Sequence, residues 1–247
     1  MILKCLASGS RGNCYLLTAA DGSTLIIEAG IRFADIKAAL NFDLSNVVGC
    51  IVSHKHNDHA RCVVDMLNSG IRVLALHDVF DAKGVPGYPF SKSILPNHGY
   101  SLGNFKVYCL SVLHDVPCLA FIIDHPDMGR TLFVTDTMLL EYQIPPDTRH
   151  LMLECNYADD ILRHNIERGI VLPSMRDRLM YSHMELETCK GIIRAADMSQ
   201  VSEIVLLHLS DGNSNADLFA TEIASVSGKP VHIAAAGLSL DYSTNPY

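Results

Sequence analysis

The chain has 247 residues, with 19 Lys and Arg against 27 Asp and Glu, and so a net charge of −8 with histidine neutral. At 49% hydrophobic and 19% charged, it can bury a full core and is neither a disordered nor a charge-rich fibrous chain. No apolar run approaches the ~18 residues needed to span a bilayer. The opening MILKCLASGSRGNC reads as a short apolar stretch and a Gly/Ser turn rather than a secretory signal. These features predict a cytoplasmic protein without membrane association. The eight cysteines include no C-x-x-C pair, which predicts reduced core thiols. The acidic balance argues against a protein that coats nucleic acid through clustered Lys and Arg, but leaves room for an enzyme that grips a few phosphates through metal ions.

In chain order, Leu3 to Ala7, Tyr15 to Thr18 and Leu25 to Glu28 are short apolar or alternating runs separated by SGSRGN and ADGS, which predicts hairpins. Of the two roles open to SGSRGN, closing a hairpin is favoured over meeting a phosphate. Ile31 to Leu40 has a weak helical pattern, and Val47 to Ser53 reads as a buried strand. Further strands are expected at Val73 to Leu76, Phe105 to Leu110, Leu119 to Ile123 and Thr131 to Thr135. Gly84 to Pro96, with three prolines, is expected to be a long loop near the site entrance. From Leu151 strands and helices alternate: LMLECN, Ala158 to Arg168, Glu185 to Met198, EIVLLHL, Ala216 to Val226 and PVHIAAAG. No linker or repeat interrupts the chain, so residues 1–247 are read as one domain. Hairpins first and alternation later fit two sheets with helices outside them.

SHKHNDHARC carries the chemistry: His54, His56, Asp58 and His59 form H-x-H-x-D-H directly after a buried strand. On extended backbone, residues i and i+2 face the same way, so His54 and His56 can bind one ion together. Asp58 and His59 fall where a following helix would begin, and they point to a neighbouring position. Mixed nitrogen and oxygen donors at this spacing suit two metal ions a few Å apart. Three more candidates close apolar strands: His114 in LSVLHDVP, Asp136 in LFVTDT and His208 in IVLLHLS.

The order H-x-H-x-D-H, His, Asp, His resembles the metallo-β-lactamase-fold hydrolases. That resemblance implies a four-layer αββα sandwich. It assigns His54, His56 and His114 to one divalent ion, Asp58, His59 and His208 to a second, and Asp136 to a bridge. Asp at the bridge resembles the phosphodiesterase and hydrolase branches, since many true β-lactamases have Cys there. LASGSRGNCYLL, IIEAGI, YSHMELETC and LLHLSDGNSN narrow the likeness to the YycJ (WalJ) group, which is associated with nuclease activity including 5′ exonuclease action on DNA. Two positions depart from the pattern: Glu28 stands where Asp is usual, and Ala60 to Val63 lack the Gly that often follows D-H.

The resemblance therefore implies a phosphodiesterase or nuclease in which a hydroxide bridging two metals attacks phosphorus. His and Asp donors accept Zn, Mn, Fe or Ni, with Zn or Mn favoured. Asp58, Glu154 and His183 are the candidate catalytic residues. Similar positions in tRNA-processing relatives carry a Glu and His pair that handles the leaving-group proton, so Glu154 would orient His183. The other reading makes His183 a cap for the helix beginning at Met184. Nucleic acid is the expected substrate, met on one side by Arg163, Arg168, Arg176, Arg178, Lys190 and Arg194. The alternative substrate is small, such as a cyclic nucleotide, lactone or thioester. No obligate protein partner is expected.

Overall fold

The computed structural model describes residues 1–244. The chain begins with strands β1 (Ile2–Ala7), β2 (Cys14–Thr18) and β3 (Thr24–Ile27), then helix α1 (Phe33–Ala39) and strand β4 (Val47–Ile51). Helices α2 (Asn57–Ala60) and α3 (Val63–Asn68) follow, then β5 (Val73–Ala75), α4 (His77–Ala82) and β6 (Ser91–Ser93). Four longer strands come next: β7 (Gly99–Leu102), β8 (Phe105–Val112), β9 (Cys118–His125) and β10 (Gly129–Val134). The remainder is β11 (Thr148–Glu154), α5 (Asp159–Glu167), α6 (Pro173–Ser182), α7 (Leu186–Ala195), β12 (Glu203–Leu207), α8 (Ala216–Ser227), β13 (Val231–Ile233) and β14 (Ser239–Asp241).

Two mixed seven-stranded sheets result, flanked by helices, in the orders β14-β1-β2-β3-β4-β5-β6 and β13-β12-β11-β10-β9-β8-β7. This is the architecture the sequence implied. The described residues fall into two compact units, one of residues 1–111, 116–129 and 235–244, the other of residues 112–115 and 130–234.

In the first unit β1, β2 and β3 pair antiparallel, with Leu3 opposite Leu17 and Tyr15 opposite Ile27. The SGSRGN turn closes the first hairpin. The pairing then turns parallel from β3 through β6. Parallel strands covered on both faces need continuous apolar runs, and β3, the end of β4 and β5 are fully buried. Helices α1, α3 and α4 cover one face, where Phe33, Ile36, Val63, Met66 and Phe80 pack with Leu16, Ile26 and Val52 in one buried cluster. The strand predicted over Val47 to Ser53 ends at Ile51, so Ser53 and His54 stand in the loop beyond it. The expected loop from Gly84 to Pro96 contains β6, which pairs along β5 as the edge strand.

In the second unit β10, β11, β12 and β13 run parallel, with Leu151 between Leu132 and Ile204. Helix α7 starts at an N-cap glutamate, Glu185, whose carboxylate accepts hydrogen bonds from Glu187 and Thr188 N–H. Helix α8 runs from an Asn215 N-cap to Gly228 at φ 66°. Among the described residues no helix is long and apolar enough to cross a membrane.

Candidate metal centre

In the first unit β4 delivers the H-x-H-x-D-H segment. His56 is the N-cap of the four-residue α2, so His54 leaves the loop before the helix while Asp58 and His59 stand in its single turn. His54 Nε2 lies 3.1 Å from His56 Nδ1, and the His54 and His59 ring centroids are 4.3 Å apart. On its other nitrogen His54 meets Ser53 Oγ at 2.9 Å and Cys118 Sγ at 3.6 Å. His59 Nε2 is 3.6 Å from Asp58 Oδ2 and 3.0 Å from Asn13 Nδ2, and its Nδ1 is 3.5 Å from Glu28 Oε1.

Glu28 is fully buried, and its carboxylate also accepts weakly from Ser53 N–H, at 3.3 and 3.4 Å. The glutamate in place of the usual aspartate thus reaches the same loop from behind. Its φ of 67° places it in the left-handed region. Such a backbone is costly for a non-glycine residue and needs surrounding contacts to hold it.

The second unit gathers the other expected residues at the carboxyl ends of its strands. Asp136 and His208 follow β10 and β12, each with positive φ, 47° and 53°, and His208 Nδ1 lies 3.4 Å from Asp136 Oδ1. His114 Nε2 is 3.8 Å from Asp136 Oδ2 and 3.0 Å from Asp115 Oδ1, while its Nδ1 meets the Ser182 carbonyl at 3.0 Å. Thr135 Oγ1 donates to Asp136 Oδ1 at 2.8 Å. Asp136, Glu154, His183 and His208 each offer one donor atom to a cluster no more than 4.8 Å across.

Glu154, the last residue of β11, is fully buried. One carboxylate oxygen lies 2.7 Å from His183 Nδ1 and 3.3 Å from His208 Nδ1; the other accepts from Thr137 N–H at 2.8 Å and Met184 N–H at 3.3 Å. His183 stacks on His208, with ring centroids 5.2 Å apart. Burial opposes charge on both members of the pair. Their mutual attraction and hydrogen bond outweigh it, so the His183 pKa lies above its usual value and that of Glu154 below. His114 shifts the other way, because burial outweighs the nearby Asp136 and Asp115 and favours the neutral ring that binds metal.

His183 closes α6 rather than opening α7, whose cap is Glu185. The N-capping role considered for His183 therefore falls to Glu185, two residues on. Sequence reasoning also missed four supports: Asn13 on His59, Ser53 and Cys118 on His54, and the Ser182 carbonyl on His114. Asn13 lay in a motif read for its turn, and nothing in its spacing pointed to a histidine 46 positions away. The Asn156 side chain, likewise, donates to the His208 carbonyl at 2.7 Å and holds that strained turn.

Half of the expected basic stretch is neutralised within the second unit. Arg163 and Arg176 both pair with Asp159, and Lys190 lies between Glu187 and Glu222.

The donor chemistry fits divalent metal. Both units present imidazole nitrogens and carboxylate oxygens, largely shielded from water, as His/Asp metal sites require.

The profile of the metallo-beta-lactamase superfamily matches residues 7–141, and the chain belongs to that superfamily. No curated protein matches the sequence. Among solved structures, the chain is similar to the metallo-beta-lactamase fold protein YhfI from Bacillus subtilis, at 18% identity and a TM-score of 0.75 over 97% of this chain and 98% of that one. It is also similar to a diphosphatase of the PhnP family, at 13% identity and a TM-score of 0.64 over 97% and 96% of the two chains. Human tRNase Z, short form, aligns at 11% identity and a TM-score of 0.61 over 97% and 98%. At these identities the likeness is one of fold.

Proposed function

We propose that this superfamily member is a binuclear metal-dependent phosphodiesterase acting on nucleic acid, of the YycJ (WalJ)-like nuclease kind. In this reading His54, His56 and His114 would hold one divalent ion, Asp58, His59 and His208 would hold the other, and Asp136 would serve both. Zn or Mn is the expected metal. When bound, the ions supply an activated water and electrostatic stabilisation of the phosphoryl oxygens.

The observation that carries the reading is the 2.7 Å hydrogen bond between Glu154 and His183. Cleavage of a nucleic-acid diester expels an alkoxide, a poor leaving group that needs a proton. A histidine with Nδ1 fixed by a buried carboxylate presents its Nε2 in a defined direction, with a proton to give. Glu154 is itself held by Thr137 and Met184 N–H groups, so the pair is oriented before substrate arrives. Hydrolysis of a thioester, which expels a far less basic thiolate, has less use for such a donor. Among similar folds are a diphosphatase of the PhnP family and a tRNase Z, names that point to phosphoryl or nucleic-acid substrates and support the same class.

The test is the leaving-group dependence of His183→Ala. The variant is expected to keep its metals and to lose roughly 10²–10⁴-fold in kcat on nucleic acid. On bis-(p-nitrophenyl) phosphate, whose leaving group needs little protonation, the loss is expected to be far smaller. Equal losses on both substrates would remove His183 from the proton step, and loss of metal would make it a ligand.

A further inference from the structure

A cavity of about 450 Å³ opens in the first unit between the edge strands β6 and β7, with Arg72, Lys92, Phe90 and Tyr100 in its wall. Its size falls within the ~300–1,000 Å³ usual for small-ligand sites. It lies apart from the metal ligands. Arg72 sits beside β4, where its carbonyl accepts from Cys50 N–H at 2.8 Å. Cys50 is four residues before His54, a span of at most roughly 13 Å of extended chain.

Two features of this wall are not explained by folding. The first is charge: Arg72 and Lys92 are exposed, and neither side chain has a hydrogen bond or ion pair to any described residue. In a chain of net charge −8, two unpaired cations lining one concavity form a local anion site. The second is Phe90, which is 53% exposed and holds φ at 66°. A bulky residue in the left-handed region is disfavoured, and here it buries little in return. Its carbonyl is pinned by Val73 N–H at 3.0 Å, so the ring is kept at the rim of the cavity. Tyr100 is fixed as well, because its hydroxyl accepts from Leu95 N–H at 2.9 Å.

We propose that this cavity binds a nucleotide, free or as one unit of a nucleic-acid strand, with its phosphate between Arg72 and Lys92 and its base against Phe90 and Tyr100. Cations that bind phosphate beside aromatic rings that stack on a base are the combination by which proteins hold single-stranded nucleic acid. The apolar side chain of Leu74 completes the wall. As a strand site it deepens the nucleic-acid reading by supplying a second hold remote from the cleaved bond. Its test is a binding measurement, so its failure is separable from failure of the catalytic reading.

Isothermal titration of the metal-loaded protein would use four probes: adenosine 5′-monophosphate, adenosine, ribose 5-phosphate, and a short single strand with hydrolysis-resistant phosphorothioate linkages. Binding of the nucleotide or the strand, with much weaker binding of adenosine and ribose 5-phosphate, is expected. A strand that binds far more tightly than the nucleotide identifies the polymer as the occupant; comparable affinities identify the free nucleotide. Arg72→Gln with Lys92→Gln should weaken binding roughly tenfold or more and flatten its salt dependence. Phe90→Ala should weaken it by a similar factor. Unchanged melting temperatures check that both proteins fold. The proposal is overturned if ribose 5-phosphate binds as well as the nucleotide, if neither nucleotide nor strand binds, or if the folded variants bind like the parent.

Discussion

Gly30 lies directly against the carbonyl of Asp58: a Cβ on Gly30 would sit 1.6 Å from that oxygen and 2.7 Å from Asn13 N. The same oxygen accepts from Asn13 N–H at 2.8 Å, and Ala29 N–H donates to the His59 carbonyl at 2.7 Å. The turn after β3 is thereby joined to the loop that carries four of the expected metal ligands. Backbone atoms make the contact, so no rotamer change can relieve a side chain there.

Gly30→Ala should therefore push the Asp58 turn outward. A loss of about 2 kcal/mol or more in stability is expected, together with reduced metal content. Thermal unfolding and metal analysis of the purified variant check this. A variant with the parent's melting temperature and full metal would show that the turn yields freely.

All eight cysteines are buried thiols outside any disulfide. Burial pushes the Cys5, Cys62 and Cys109 thiols up to about 12, and those of Cys14, Cys50 and Cys155 well above their usual value. The reactive thiolate is scarce at neutral pH in such surroundings. Titration of the native protein with a thiol-reactive disulfide near pH ~8 should label almost none within minutes, and denaturant should release all eight. Rapid labelling of two or more native thiols would contradict this packing.

His125 gives a pH dependence separate from the expected metal ligands. Its Nδ1 accepts from Asp127 N–H at 3.1 Å, and its buried Nε2 has no hydrogen-bond partner among the described residues. Burial holds its pKa below 6.5, with Asp127 and Asp21 opposing only in part. The unfolded chain thus takes up a proton that the folded chain resists. The stability from neutral His125 is complete above about pH 6.5 and is lost as pH falls from there through the depressed folded value. His125→Asn keeps an acceptor for Asp127 N–H and does not titrate. Its melting temperature should fall less than the parent's between about pH 7 and pH 5; parallel curves would exclude the effect.

Much of this was legible because the chemistry follows strand ends. The apolar run of β4 gives way to His54, and Asp136 and His208 follow equally apolar strands, so period and residue type marked them together. Helices α5, α7 and α8 were readable from their apolar spacing, within a few residues at each end. Helix α6 was not, because it has little to read: Met175, Met180 and Tyr181 are exposed and only Ser182 is buried. The short β6, Ser-Lys-Ser, forms because β5 offers it an edge, a tertiary cause that leaves no local signature. The supports from Asn13, Asn156 and the Ser182 carbonyl were hidden for the same reason.

The most direct test of the whole account is hydrolysis by the purified protein, loaded with Mn²⁺ or Zn²⁺ and with its metal content measured. Substrates are 5′-labelled single- and double-stranded DNA and RNA, beside bis-(p-nitrophenyl) phosphate and small lactone and thioester substrates. Asp136→Ala serves as the control. About two metal equivalents and cleavage of at least one nucleic acid that stops on chelation are expected. The Asp136→Ala protein should fold, lose metal and be nearly inactive. Full metal occupancy with turnover of a lactone or thioester and no cleavage of any nucleic acid would contradict this reading, as would an Asp136→Ala protein with undiminished metal and activity.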